Sequence, residues 1–349
     1  METVSLRRAL LAFYRRRGRD LPWRKTRDPY AIWISEIMLQ QTQVQTVVPR
    51  FAELMRRFPT LAALAGADET TVCEAWAGLG YYRRARNLHR AARQITAERA
   101  GQMPSSVTEL RKLPGIGAYT AAAIASIAFG EPVAAVDGNL VRVLSRVFAL
   151  PGRASDAGLV ARVREQAQQM VEGSNPGEVN QALMDIGATV CRPVEPACGD
   201  CPLRPACAGF RVGNPTAYPG KKLRAARRIL SVAFAWIEEA GGVVLEQRSL
   251  DGLWAGLWEL PSASGPGAEK DLARRLGQPL GRRIAKVNHD LTHRRVEAIV
   301  YEVDFAKFLG RRWRDPLTAP LSALARKAII ATGRFPRGST QRAQRTRRP

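Results

Sequence analysis

The stretch LPGIGAYTAAAIASIAFG, Leu113 to Gly130, decides the fold. It opens on a turn holding Gly115 and Gly117 and continues as a run of small residues that reads as a helix stopping at Gly130. Just upstream, Ser106 and Glu109 have the spacing of a capping box ahead of Leu110 and Leu113, which predicts a helix leading into the turn. A tight glycine turn between two helices exposes backbone N–H groups at the start of the second. Those donors and the helix dipole suit a phosphate oxygen. Alone, this is weak evidence, because a glycine-rich interhelical turn is more often only a turn.

Outward from this turn the pattern stays helical. In RDPYAIWISEIMLQQTQVQTVVPRF (Arg27–Phe51), Asp28 is a candidate N-cap and Pro29 stands at the first helical position. Ile34, Ile37, Met38, Val44, Val47 and Val48 then recur at helical spacing. VDGNLVRVLSRVFAL (Val136–Leu150) starts a helix at Asp137, with Leu140, Val143, Leu144, Val147 and Phe148 on one stripe. After residue 209 the chain changes character. RVGNPTAYPGKKLRAARR is polar, basic and turn-rich, and predicts a linker over 210–227. Strand signals follow: ILSVAFAWI (Ile229–Ile237), GVVLEQR (Gly242–Arg248) and RRVEAIVYEVDF (Arg294–Phe305), the last with Val296, Ala298 and Val300 alternating with Glu297, Ile299 and Tyr301. The expected organisation is a helical region over 1–209, an α+β domain over 228–334 and a basic, disordered tail over 335–349. There is no internal repeat, P-loop or dinucleotide fingerprint.

The composition narrows the classes. The chain has 349 residues and 46% hydrophobic residues, enough for two or three domains with real cores. No apolar run approaches the roughly 20 residues a membrane helix needs. The N-terminus is basic but lacks an apolar h-region and a cleavage site. These features predict a soluble cytoplasmic protein with no membrane partner, nucleoid-associated in a bacterium. The formal charge of +23 points to a polyanion partner. Arginine-rich coding from a GC-rich genome is the bland alternative, so charge alone favours nucleic acid only modestly.

Four of the five cysteines stand in VCRPVEPACGDCPLRPACAG (Val190–Gly209), spaced Cys191-x6-Cys198-x2-Cys201-x5-Cys207. In an intracellular chain clustered cysteines usually bind metal rather than form disulfides. Thiolates suit zinc and iron–sulfur clusters alike, and the spacing leaves both open. Cys73 lies far away in a helical pattern and reads as a small buried hydrophobe.

Two carboxylates stand out. Asp137 is an ordinary N-cap whose second oxygen is free to face a cleft. Glu36 lies in an apolar stretch between Ile32 and Trp33 on one side and Leu39 on the other. Buried there, its pKa would rise toward that of a general acid working near neutral pH. The competing placement is an exposed face shared with Gln40 and Gln43, and these residues alone balance the two evenly.

Taken together and in order, LPWR (Leu21–Arg24), DPYAIWISEIMLQQTQV, GLGYYRRARNLHRAA (Gly78–Ala92), LPGIGAYTAAAIASIAFG, VDGNLVRVLSRV, NQALMDIGATVC (Asn180–Cys191) and the four-cysteine loop resemble the MutY adenine DNA glycosylases of the helix-hairpin-helix superfamily that includes endonuclease III. The likeness is dense from about Leu6 to Lys222. It continues more loosely through DGLWAGLWELP and NHDLTHRRVEA into a domain resembling the MutT, or Nudix, fold.

The resemblance implies a multidomain fold: an all-α helix-hairpin-helix glycosylase region, with the hairpin at about 105–130 and an iron–sulfur loop at 191–207, followed by an α+β MutT-like domain. It implies a [4Fe–4S] cluster on Cys191, Cys198, Cys201 and Cys207. It makes Glu36 the acid that protonates departing adenine and Asp137 the carboxylate that stabilises the oxocarbenium-like sugar, with Asn139 supporting Asp137. Tyr119 falls where bifunctional relatives carry a Schiff-base lysine, which implies a monofunctional glycosylase, and it matches a tyrosine of some family members that contacts the reacting sugar. Gln181 would face the flipped adenine, with Trp23 and Arg24 lining its pocket. Gln41 and Tyr81 would wedge into the duplex, and Gly115 and Gly117 would meet backbone phosphate. Thr292 and His293 of LTH stand where the family has a Phe-Ser-His segment that probes 8-oxoguanine; the hydroxyl is kept and the bulk changed. The Nudix hydrolase signature is absent, so nucleotide hydrolysis is not expected.

The expected partner is double-stranded DNA bearing adenine opposite 8-oxoguanine or guanine, bound by a monomer. Two rivals remain: a related glycosylase excising another base, such as thymine from G·T, and a DNA-binding scaffold that has lost its chemistry. Gln181 and the C-terminal domain argue against the first, and the pair Glu36 and Asp137 against the second.

Overall fold

The computed structural model describes residues 2–220, 228–239, 242–249, 252–254, 256–291, 294–304, 313–314, 319 and 321–334. The chain divides into two compact units, Met1–Leu223 and Arg224–Pro349.

The first unit is helical and holds two large apolar clusters. One is built from helices Pro29–Leu39, Val44–Arg57, Arg83–Arg99 and Ala118–Ala128. The other joins the N-terminal helix Glu2–Arg17 to helices Gly138–Val147, Ala157–Val171 and Pro176–Asp185 and to the cysteine loop. Helix Ala118–Ala128 packs on Pro29–Leu39 and on Pro176–Asp185, so it bridges the two clusters. Its small residues allow this: Ala121, Ala123, Ile124 and Ala125 are completely buried, and alanines let neighbouring helices approach closely on several sides.

Local chemistry explains most boundaries. Asp28 accepts from the N–H groups of Tyr30 (3.0 Å) and Ala31 (3.3 Å), with Pro29 at the first helical position. Asp137 caps the next critical helix by accepting from Leu140 N–H at 2.8 Å. Helix Ala118–Ala128 ends ahead of Gly130, at φ +74°.

Three expectations need correction. The apolar pattern of residues 30–48 is two helices and not one run: the chain turns at Gln40–Gln43, with Gln41 at φ +57°. The capping box is only half made. Ser106 accepts from Glu109 N–H at 3.3 Å, but the Glu109 carboxylate bonds Arg99 and Lys112, while Glu131 takes Val107 N–H at 3.0 Å. Residues 210–220, which composition assigns to a linker, belong to the first unit: Ala208–Arg211 is a helical turn, Arg146 donates to Tyr218 O, and Gly220 N–H bonds Gly152 O.

The second unit is α+β. Its main sheet runs Ser262–Ser264, Arg228–Trp236, Arg294–Glu302, Arg283–Asp290 in spatial order, and the two central strands are parallel. The alternation read in Arg294–Glu302 sorts its two faces. Val296, Ala298 and Val300 pack with helix Ala323–Ala331, and Tyr301 with helix Ala268–Leu276. A helix on each face makes both sides apolar. The stretch Gly242–Arg248 forms two short strands, Gly242–Val244 and Glu246–Gln247, that pair in two smaller sheets. Residues 335–349 lie outside the described residues.

Candidate active site

Glu36 and Asp137 come from different apolar clusters of the first unit, and the site lies where those clusters meet. Glu36 sits in mid-helix Pro29–Leu39, where every residue from Tyr30 to Met38 is buried. Its own exposure is 6%, which settles the two sequence placements in favour of the desolvated one. Burial pushes its carboxyl up to about 7; a hydrogen bond from Tyr119 and the charge of Arg24 pull it back, and the Asp137 carboxylate pushes it further up. The Tyr119 hydroxyl, held on the first turn of helix Ala118–Ala128, also points to the Met184 sulfur at 3.8 Å. Burial and the two carboxylates raise its own pKa well above the ordinary phenol value.

Asp137 is half-buried. One oxygen caps its helix and the other accepts from Asn139 Nδ2 at 2.9 Å. Asn139 is oriented in turn by Arg142, which donates to Asn139 Oδ1 (3.0 Å), Gly187 O (2.7 Å) and Cys191 O (2.9 Å). Gly187 has to lack a side chain, because a Cβ there would come within 2.9 Å of Asn139 Cβ.

Arg24 does not hydrogen-bond Glu36. Its two Nη atoms grip Asp185 at 2.6 and 2.8 Å, and Asp185 also accepts from Arg19 Nε (2.5 Å) and Arg19 N–H (3.0 Å). Those cations hold the buried Asp185 carboxyl below the usual carboxylate range despite its desolvation. Trp23 is 5% exposed and sets its ring edge-on to Phe51, 5.3 Å between centroids. Gln181 is buried in helix Pro176–Asp185, which packs on the helix that carries Tyr119.

The hairpin turn has the backbone it needs. Gly115 stands at φ +81°, and a Cβ there would approach Asn87 Cβ to 2.8 Å. Gly117 is the N-cap of helix Ala118–Ala128, makes no side-chain cap, and a Cβ added to it meets nothing within 4 Å. The first N–H groups of that helix therefore lack the side-chain partner that caps many helices. Gln41 and Tyr81 are both exposed at turn tips, at φ +57° and +50°. Thr292 and His293 lie outside the described residues.

Cys191, Cys198, Cys201 and Cys207 are free thiols lining one cavity with Val143, Ile186, Leu203 and Phe210. Arg146, 3% exposed, points Nη1 at Cys191 Sγ at 3.4 Å and braces the loop through Arg192 O and Pro193 O. Burial pushes the Cys201 thiol up to about 11 and raises Cys207 as well. Among the described residues no three His, Cys, Asp or Glu side chains group closely enough for one metal ion. A single zinc ion needs all four sulfurs about 2.3 Å from one point. Four thiols lining one cavity are a donor set that suits zinc and an iron–sulfur cluster alike. Cys73 is partly buried against the first apolar cluster.

Residues 34–170 match the family described as HhH-GPD superfamily base excision DNA repair protein, and residues 232–331 match the NUDIX domain. The chain is similar to the adenine DNA glycosylase of Homo sapiens, 38% identical over 335 residues, with 80% of this chain and 61% of the human one covered. It is 34% identical over 265 residues to the adenine DNA glycosylase of Buchnera aphidicola subsp. Baizongia pistaciae, covering 75% of this chain and 74% of that one. The chain belongs to the adenine DNA glycosylase family. It spans about three fifths of the length of the human relative. Among solved structures, that of a thermostable thymine-DNA glycosylase is similar with a TM-score of 0.55 and 28% identity, over 60% of this chain and 97% of that one.

Within this adenine DNA glycosylase family chain, the HhH-GPD match holds Glu36, the hairpin, Tyr119 and Asp137, and the NUDIX match holds most of the central sheet. The expected fold class stands: a helical HhH-GPD region followed by an α+β Nudix domain. Asp185, Arg142 and Arg84 (buried, and described below) escaped the sequence reading. Asp185 was within reach, since an aspartate amid the apolar run ALMDIG needs a partner.

Proposed function

We propose that this chain is a monofunctional DNA glycosylase of base excision repair that hydrolyses the N-glycosidic bond of adenine paired with 8-oxoguanine or guanine in duplex DNA. The observation that carries the reading is Glu36, a buried carboxyl with its pKa raised to about 7, set against the half-buried Asp137. A neutral Glu36 can give its proton to the departing base as the C1′–N9 bond breaks. Asp137 offers negative charge to the sugar cation, and water supplies the new oxygen at C1′. Asn139 and the helix N-terminus hold Asp137 in place. Tyr119 bonds Glu36 and offers no amine, so no imine forms there.

The adenine has to leave the stack to reach this site. Gln181, Trp23 and Arg24 are the residues we assign to it, with Gln41 and Tyr81 entering the duplex and the Gly115–Gly117 turn binding phosphate. Thr292 and His293 are assigned to the base opposite. A [4Fe–4S] cluster would be held by Cys191, Cys198, Cys201 and Cys207, where its chemistry is that of a rigid anionic anchor for the loop. The thiol-lined cavity supports this assignment, and purified protein carrying about four irons and four sulfides per chain would bear it out. Stoichiometric zinc without sulfide would overturn it.

The deciding experiment is single-turnover excision on duplexes that differ only in the target pair. Adenine released from A·8-oxoguanine and A·G, with A·T and G·T left intact, is the expected result. Release of thymine from G·T would favour the activity named for the structural neighbour. Binding to every duplex with no base released would mark a scaffold. Borohydride is expected to trap no covalent complex.

A further inference from the structure

We infer that Arg84 is a positioning residue that joins the Gln41 and Tyr81 turns into one two-pronged wedge and fixes that wedge to the helix carrying Glu36. The inference rests on the proposed entry of Gln41 and Tyr81 into the duplex.

Arg84 is an arginine in the interior, 9% exposed and without a carboxylate partner in its hydrogen bonds. Its two terminal nitrogens divide their work. Nη1 donates to the carbonyls of Ile37 (2.9 Å), Met38 (2.8 Å) and Gln40 (2.6 Å). These lie in the last turn of helix Pro29–Leu39 and just past it, where backbone carbonyls have no helical partner and a cation is favoured by the helix dipole. Nη2 donates to the carbonyls of Leu79 (2.9 Å) and Gly80 (3.1 Å) and to Thr42 Oγ1 (2.9 Å). One nitrogen thus holds the residues leading into Gln41 and the other those leading into Tyr81. Thr42 reinforces the link by donating to Leu79 O at 3.4 Å. The guanidinium also lies 5.3 Å from the Trp76 ring centroid and 5.6 Å from that of Tyr81.

Both tips need such support. Gln41 and Tyr81 hold left-handed backbones that non-glycine residues rarely adopt. Tyr81 is 59% exposed, so little packing keeps it in place. Burial lowers the Arg84 pKa to about 10, which still leaves the side chain charged at neutral pH. A lysine has one nitrogen and cannot span two sets of acceptors with a planar fork.

The test compares two substrates of the full-length protein. In one, adenine faces 8-oxoguanine in an intact duplex. In the other, the same adenine lies in a small unpaired bubble and needs little extrusion. Arg84→Lys is expected to slow single-turnover excision from the intact duplex by about tenfold, the scale of one lost charge-assisted bond, and to slow the bubble far less. Thr42→Val, which removes the hydroxyl that accepts from Arg84 and links to Leu79 but leaves the guanidinium on the backbone carbonyls, is expected to show the same selectivity more weakly. Gln41→Ala and Tyr81→Ala should share it. If these two lose rate selectively on the intact duplex while Arg84→Lys and Thr42→Val slow both substrates equally or neither, the link through Arg84 is wrong and the wedge stands. If Gln41→Ala and Tyr81→Ala show no selective loss, the wedge reading fails and takes this inference with it.

Discussion

Two glutamates, one in each unit, are buried to nearly the same degree: Glu36 at 6% and Glu259 at 4%. Burial raises the pKa of both. They differ in what the nearest cation does. Arg248 forms an ion pair with Glu259, and Ser262 adds a hydroxyl at 2.6 Å on the same oxygen. Arg24 influences Glu36 only through space, because its guanidinium is committed to Asp185. Glu259 is a paired structural carboxyl. Glu36 is kept as an acid beside a second carboxylate. Burial alone therefore does not separate the two; what sets Glu36 apart, and supports the role proposed for it, is that the nearby positive charge is occupied elsewhere.

The largest expected difference is in excision. Glu36→Gln keeps the shape but has no proton to give, and the rate should fall by about 10²–10⁴-fold with duplex binding retained. Asp137→Asn should lose activity on a similar scale. Glu259→Gln should leave the single-turnover rate within a few-fold of wild type and instead lower stability by about 1–3 kcal/mol through its lost charged hydrogen bonds. A Glu259→Gln protein of normal stability that cannot excise adenine would break the comparison.

Asp185 sharpens it from the other side. This carboxyl is completely enclosed but carries two arginines, and its pKa is lowered where that of Glu36 is raised. Its contribution to stability is present above the unfolded carboxylate pKa and is lost as pH falls through the folded value. Asp185→Asn strands Arg24 and Arg19, and should cost about 3–5 kcal/mol in denaturant unfolding at pH 7. An unchanged midpoint would mean that the arginines find other partners.

Glu36 has the opposite sign. Its folded pKa of about 7 lies above the ordinary 4.5, so between those values the folded chain keeps a proton that the unfolded chain gives up. Stability should fall as pH rises through this window, by about 3 kcal/mol in all. Glu36→Gln removes the effect. The variant should match wild type near pH 4 and be the more stable protein at pH 8. Equal stability at both would show that Glu36 is not held neutral.

What the sequence shows of this depends on how local the cause is. The Asp28–Pro29 cap, the Asp137 cap, the turn at Gly115 and the alternation of Val296, Ala298 and Val300 are set by neighbours in the chain, and each is legible. Glu36 was not, because the helix from Tyr30 to Met38 is buried on every side. With no polar face there is no periodicity to say which way a glutamate points. The Arg24–Asp185 pair spans 161 residues, and the parallel pairing of Arg228–Trp236 with Arg294–Glu302 joins strands far apart in the chain. Arg84 is one of several arginines in GYYRRARNLHRAAR, and only the carbonyls gathered around it set it apart. Residues 210–220 read as a linker because they are polar and turn-rich, yet backbone bonds and Arg146 tie them down.

The smallest expected effect probes Tyr119, a neutral group beside Glu36. Tyr119 donates a hydrogen bond that favours the charged carboxylate and so lowers the Glu36 pKa from where burial alone would set it. Excision needs the protonated acid, so the wild-type rate should decline as pH rises through about 7. Tyr119→Phe removes the hydroxyl and keeps the ring. The carboxyl should then hold its proton more tightly, and the declining limb should move upward by about one pH unit or less. The rate on the acid side should change little if the bond serves chiefly to tune Glu36. The matching change in the second unit, Ser262→Ala beside Glu259, should leave the pH profile of excision where it was. A limb that moves downward in Tyr119→Phe would mean that the hydroxyl stabilises the neutral acid instead. A limb that stays in place with the rate lowered at every pH would assign Tyr119 to the sugar rather than to the carboxyl.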